Sequence, residues 1–257
     1  MKTNQWARRA ACAGVALVST LAATGSIAQT TNSLVSSADT FVRFGVNQNV
    51  NYGTANYLDL YANGTARDYF GYVRFDLSTI PLDAVVTGAT LTFTKVDGLG
   101  STRSDGITTA RFRVLGLNNV AGNTPQDWSE TGLTFDTRGS EWTAANTFDA
   151  ARVTDFDGAL GNESVSGSAS GSTASISGNN LVLFINGFLS SGAVTFIADQ
   201  AGTDAGRGYG LATREYGATS ATAVPTLTLV YTVPEPSSLA VLGLGGFLIA
   251  VARRKNR

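Results

Sequence analysis

Strict alternation of threonine with apolar residues is the pattern that most limits what this chain can fold into. In Ala89-Thr90-Leu91-Thr92-Phe93-Thr94, three apolar side chains point one way and three hydroxyls the other, as an extended strand requires. Thr226-Leu227-Thr228-Leu229 repeats the pattern, and Ala193-Val194-Thr195-Phe196 begins it again. One buried and one wet face per strand is the mark of an antiparallel sheet. Further strands are expected over residues 40–44, 57–61, 69–77, 111–117 and 208–214. Asn63-Gly64, Asp97-Gly98 and Asp105-Gly106 read as turns, because glycine accepts a positive φ without a steric cost. With about nine short strands and no alternating helical pattern, the expectation is an all-β fold, an antiparallel β-sandwich of jelly-roll type. Residues 181–190 fit either a strand or a short helix. Residues 162–178 are rich in Gly and Ser with Glu163 their one charge. They are expected to form a flexible loop inside a single domain spanning residues 29–232.

Composition narrows the chemistry. The 257 residues include no histidine, one cysteine (Cys12) and one methionine (Met1). Beyond residue 28 there is therefore no imidazole or thiol at all, which excludes Ser-His-Asp and Cys-His nucleophile systems. It also excludes imidazole or thiolate ligation of zinc, copper, haem or iron–sulfur clusters, and disulfides. The formal charge of −1 conceals a segregation. Lys2, Arg8 and Arg9 lie in the first 28 residues, and Arg253, Arg254, Lys255 and Arg257 in the last 21. Between them 11 basic residues face 19 acidic ones, a net of −8, with Lys95 as the single lysine. Such a balance argues against nucleic acid, which needs a basic footprint.

Both ends look like addresses. Residues 1–28 combine the three cations, an apolar run over 10–23 and Ser26-Ile27-Ala28, the anatomy of a signal peptide cleaved before Gln29. At the other end Val233-Pro234-Glu235-Pro236 precedes an apolar run over residues 239–252 and then Arg253-Arg254-Lys255-Asn256-Arg257. As a helix, that run would span roughly 21 Å at about 1.5 Å per residue, short against a hydrocarbon core of about 30 Å. The terminal cations favour the cytoplasmic side, leaving the rest of the chain outside. Signature, short helix and basic tail together closely resemble the PEP-CTERM sorting signal. That resemblance implies an exported protein, held in the inner membrane by its C-terminal helix until an exosortase-type membrane enzyme processes it. The product would then reside at the cell surface or outside the cell.

A second resemblance covers roughly residues 34–232. Its landmarks run Ala38-Asp39-Thr40-Phe41-Val42, Asn51-Tyr52-Gly53 and Gly71-Tyr72-Val73-Arg74-Phe75-Asp76-Leu77. Thr87-Gly88-Ala89-Thr90-Leu91, then residues 128–135, Arg214-Glu215 and Pro225-Thr226-Leu227 follow in order. This set resembles the DNRLRE-type domain, also classed as carbohydrate-binding module family 96. The resemblance implies a non-catalytic β-sandwich that binds polysaccharide. A structural matrix protein using the same sandwich without a glycan site is the alternative.

Sugars stack on flat aromatic rings, which makes Tyr57, Tyr61 and Trp128 candidates, with Trp142, Tyr69 and Tyr72 behind them. Core packing is the competing role for each, and for Trp128 the favoured one. Arg43 and Arg67 could fork onto the carboxylate of an acidic sugar; a scaffold role competes for both and is the reading for Arg74 and Arg214. Asp39, opening the first core strand, is the candidate ligand for a structural Ca²⁺, since carboxylate oxygens suit a hard cation. Glu130 and Glu141 could in principle serve as a hydrolytic carboxylate pair, but no spacing in the sequence places them together.

Overall fold

The computed structural model describes residues 28–62, 69–96, 109–143, 148–156, 163–166, 171–200 and 207–234. Within them the chain is almost wholly antiparallel β. The strands are β1 (Gln29–Val35), β2 (Ala38–Arg43), β3 (Tyr57–Ala62), β4 (Tyr69–Asp76), β5 (Val85–Val96) and β6 (Thr109–Leu117). They continue as β7 (Val153–Asp155), β8 (Glu163–Ser166), β9 (Thr173–Ser177), β10 (Ala193–Gln200), β11 (Arg207–Ala212) and β12 (Thr226–Thr232). One helix, α1 (Asn179–Phe188), precedes β10.

Two layers face each other. One runs β1-β12-β5, with β9 on the far side of β5. The other runs β11-β3-β4-β10-β6, with β7 and β8 along β6 and β2 along β4. The 12-residue β5 joins them: it pairs with β12 over most of its length, then meets β11 through Val96 and Lys95. The sheet thus curls into the sandwich expected from the alternating threonines. Leu58, Leu60, Val73, Phe75, Leu91, Phe93, Phe196 and Leu227 meet in the interior, none of them exposed.

The alternation holds best in the first layer. In β12 every second residue is buried, and in β5 Thr90 and Thr92 stay half-exposed while Leu91 and Phe93 are enclosed. It fails in the second layer, where residues 118–143 fold over the outer face. A second cluster forms there from Val42, Phe70, Tyr72, Leu117, Trp128, Phe135, Trp142 and Ile197. β4 and β10 are consequently buried on both faces. Thr195, which the alternation assigns to water, is fully enclosed and accepts a hydrogen bond from Trp128 Nε1 at 3.1 Å.

Two sequence expectations change. Residues 181–190 resolve as α1 and a following 3₁₀ turn, Leu189–Ser191, with Leu181, Phe184, Ile185 and Phe188 facing the core. The flexible loop expected over 162–178 contains β8 and β9 instead. Thr173-Ala174-Ser175-Ile176-Ser177 has its own period of two: Ala174 and Ile176 are buried while the three hydroxyls are exposed. That short apolar pair, aligned against Phe93 and Leu91 of β5, stabilises a strand that the Gly/Ser-rich composition hides. The turns expected at Asn63-Gly64, Asp97-Gly98 and Asp105-Gly106, the signal peptide expected over residues 1–28 (save residue 28 itself) and the apolar C-terminal run all fall outside the described residues. Among the described residues no helix is long and apolar enough to cross a membrane.

Candidate functional site

A strip of aromatic rings and one guanidinium crosses β2, β3, β4 and the turn between β2 and β3. It begins at Tyr57, whose ring lies 6.0 Å from that of Phe41. Phe41 stacks on Tyr52 at 4.2 Å and 19°. Arg43 follows two residues along β2, its guanidinium 5.5 Å from the Tyr52 ring and 4.3 Å from that of Tyr69. Arg43 Nη1 and Nη2 donate to the Tyr52 and Tyr69 hydroxyls at 3.1 and 2.6 Å. Tyr61 completes the strip, 5.4 Å from Tyr69. The β register explains the meeting, because Tyr69 is the cross-strand partner of both Arg43 and Tyr61. Phe41 and Tyr69 are buried, whereas Tyr52, Tyr57, Tyr61 and Arg43 are each half-buried. Cation–π contact and two hydrogen bonds hold the guanidinium in one pose. Partly open tyrosines around a fixed cation can stack on a sugar and donate to its oxygens.

A second group lies beside it, where β1 hands over to β2. Asp39 of β2, Glu130 of the 128–133 corner and Glu215 of the 3₁₀ turn Glu215–Ala218 each place a carboxylate oxygen within 4.8 Å of the others. Asp39 is 1% exposed. Its Oδ2 accepts from Ser36 Oγ at 2.8 Å and from the Arg214 backbone N–H at 2.9 Å. Its Oδ1 is buried without a hydrogen-bond partner, and so is Glu215 Oε2. Glu130 Oε1 accepts from the Asp39 backbone N–H at 2.9 Å. Arg214 Nη2 reaches Glu130 Oε2 at 2.5 Å and Glu215 Oε1 at 3.1 Å. Burial, reinforced by the charges of Glu215 and Glu130, pushes the Asp39 carboxyl up to about 7.

The turn at residues 51–53 ties the two groups together. Asn51 Nδ2 donates to the Glu130 and Leu133 carbonyls at 2.7 and 2.8 Å, while its Oδ1 accepts from Gly53 N–H. Tyr52 is thereby positioned between the acidic group and Arg43.

Of the residues singled out from sequence, Tyr57, Tyr61 and Arg43 come together in the strip, and Asp39 anchors the acidic group. Trp128 does not join them. It is 4% exposed, its indole N–H is spent on Thr195, and Arg74 sits 5.4 Å from its ring. Packing between the 128–133 corner and the outer face of β10 explains this, and Trp128 has no open ring face for a sugar. Trp142 is likewise enclosed, stacked on Phe70 at 4.8 Å. Arg67 lies outside the described residues, as do Glu235 and Pro236; Val233 and Pro234 follow directly from β12. Arg74 is scaffold as expected, donating to Ser37 Oγ and the Trp128 carbonyl. Glu141 is sealed, accepting from the Tyr72 hydroxyl at 2.5 Å and from Thr124 Oγ1 at 2.6 Å; it supports the fold and offers no carboxylate to a substrate. Sequence reasoning missed Tyr52 as a site residue and the convergence of Glu130 and Glu215 on Asp39. The signal for Tyr52 was its place in Asn51-Tyr52-Gly53.

Comparison with known families gives two matches. Residues 30–156 match the model of carbohydrate-binding module family 96. Residues 232–257 match the PEP-CTERM protein-sorting motif, which marks proteins exported and sorted to the surface. No curated protein matches the chain. The chain therefore resembles carbohydrate-binding module family 96 over residues 30–156 and ends in a segment that matches the PEP-CTERM sorting motif.

Proposed function

We propose that the sandwich is a single non-catalytic domain, residues 29–232, that binds polysaccharide through the strip Tyr57, Tyr52, Arg43 and Tyr61. One observation carries the reading: Arg43 is clamped between Tyr52 and Tyr69 with half-open tyrosines on either side. The family match over residues 30–156 supports it, as does the interior cluster extending from Leu34 to Val233. Arg67, between Tyr61 and Tyr69 in sequence, is kept in the proposal as a second cation for an acidic sugar. The protein is made with a cleaved signal peptide and held in the inner membrane by the segment after Pro236. An exosortase-type enzyme reads Val233-Pro234-Glu235-Pro236 and releases it to the surface or the medium.

A glycan array probed with the purified protein, with calcium and with chelator, tests the binding. Retention on at least one polysaccharide is expected, weakened about tenfold or more by Tyr61→Ala or Arg43→Ala, the loss of one good contact. No retention on neutral or acidic glycans, or retention untouched by either substitution, would replace this reading with the structural matrix role. Release of reducing ends from a bound polysaccharide would overturn the non-catalytic assignment. For sorting, Pro234→Ala with Glu235→Ala should leave unprocessed chain in the membrane fraction, read by mass spectrometry of the C-terminus.

A further inference from the structure

We propose that Asp39, Glu130 and Glu215 form a binding site for one hard divalent cation of the calcium class, capped on its solvent side by Arg214. The three carboxylates come from chain segments 91 and 85 residues apart in sequence, between Asp39 and Glu130 and between Glu130 and Glu215, yet their oxygens gather within 4.8 Å. A bare acidic cluster would mean little, because exposed carboxylates often collect without an ion. This one is different in its wiring. Asp39 is 99% enclosed, and its Oδ2 is fixed by Ser36 Oγ and the Arg214 N–H while Oδ1 has no partner. Glu215 is arranged in the same way, with Oε1 held by Arg214 and Oε2 buried and without a partner. Two carboxylates are thus each oriented by one oxygen and keep the other buried without a donor. Glu130 is oriented too, between the Asp39 N–H and Arg214 Nη2, and each of its oxygens keeps a lone pair for a further contact.

Charge points the same way. One guanidinium faces three carboxylates, and a buried carboxylate oxygen without a donor is costly unless a cation compensates it. The donor set is all oxygen, with no nitrogen or sulfur. That selects Ca²⁺ or a similarly hard ion over zinc or copper. Arg214 is 43% exposed along its side chain and closes the outer side, so the ion would enter past it and share Glu130 and Glu215 with it. An ion here would also fix the Glu130 backbone, whose carbonyl Asn51 grips, and through it the turn carrying Tyr52.

Chelator-treated full-length protein titrated with CaCl₂ in a calorimeter, alongside thermal unfolding with CaCl₂ or EDTA, tests the site. A single binding event is expected, with a Tm rise on the order of 5–10 °C at calcium a hundredfold above Kd. Asp39→Asn and Glu215→Gln keep the shape of each side chain and should abolish both signals; Asp149→Asn, at a surface turn, should abolish neither. Tb³⁺ emission excited through Trp128 and Tyr216 provides a readout on the unmutated protein, expected to appear on Tb³⁺ addition and to be displaced by Ca²⁺. No heat, no Tm shift and no sensitised emission in the unmutated protein would overturn the proposal. So would a calcium response that persists in folded Asp39→Asn and Glu215→Gln. Glycan retention is not used in this test, so the cation site stands or falls apart from the polysaccharide reading.

Discussion

A methyl group on Gly53 would lie 2.2 Å from the Glu130 carbonyl oxygen, which Asn51 already grips. Gly53→Ala must therefore push the 51–53 turn off the 128–133 corner. A loss of about 1–3 kcal/mol is expected from such overpacking, seen as a lowered Tm, together with weaker glycan retention because Tyr52 moves. Glu141 makes a complementary case. Glu141→Ala would strand the Tyr72 hydroxyl and the Thr124 N–H and hydroxyl in the interior. Buried polar groups left without partners cost about 1–3 kcal/mol each, so a large Tm drop is expected. Asp76 provides a pH-dependent test. It accepts the Ser78 N–H at 2.8 Å, and that bond holds its carboxyl below the ordinary carboxylate range. Its contribution to stability is present above the unfolded value of 3.8 and is lost as pH falls through the folded one. The Tm difference between the unmutated protein and Asp76→Asn should be measurable at pH 7 and vanish towards pH 2.

Among the elements, those with one wet face could be read directly from the chain. β5 and β12 place Leu91, Phe93, Leu227 and Leu229 inward and Thr90, Thr92, Thr226 and Thr228 outward, an order the sequence displays openly; Thr94, expected outward, is buried where β5 crosses to the second layer. β4 and β10 were visible as strands but not as doubly covered ones, because Phe70, Tyr72 and Ile197 are buried by residues far away in sequence. The same reason put Thr195 on the wrong side. β9 was obscured by its small residues, since two buried side chains among serines and glycines make a weak periodic signal. Its contribution can be measured: Ile176→Ala should cost about 2–4 kcal/mol if β9 seals Leu91 as the pairing shows. A free loop would lose nothing. α1 is seated by Phe184, whose ring would lie 2.4 Å from a Cβ on Gly116; that close approach leaves no trace in any local pattern. The tyrosines and Arg43 were legible as residue types, but their assembly needed the Arg43–Tyr69 and Tyr61–Tyr69 pairings.

At the level of the whole molecule, the acidic balance of −8 between the two ends repels polyanions over long range, and salt screens that field within about 10 Å at 0.1 M. Retention of a neutral polysaccharide should therefore change less than about twofold between low and high salt, whereas an acidic one should show a clear salt dependence. The layout also separates tasks. Gln29 of β1 pairs with Thr232 of β12, so the two ends of the sandwich emerge side by side. Asp39 and its acidic neighbours lie past the opposite end of β1, whose seven residues span roughly 20 Å at about 3.4 Å per residue. β12 itself is zipped along seven residues to β1 on one side and to β5 on the other. Tension that enters through Pro234 and is opposed at the far end of the sandwich would run along β12 and shear two ladders at once, rather than peel one bond after another. A pull applied at Pro234 and opposed at the far end of the sandwich would thus meet it in the direction of shear.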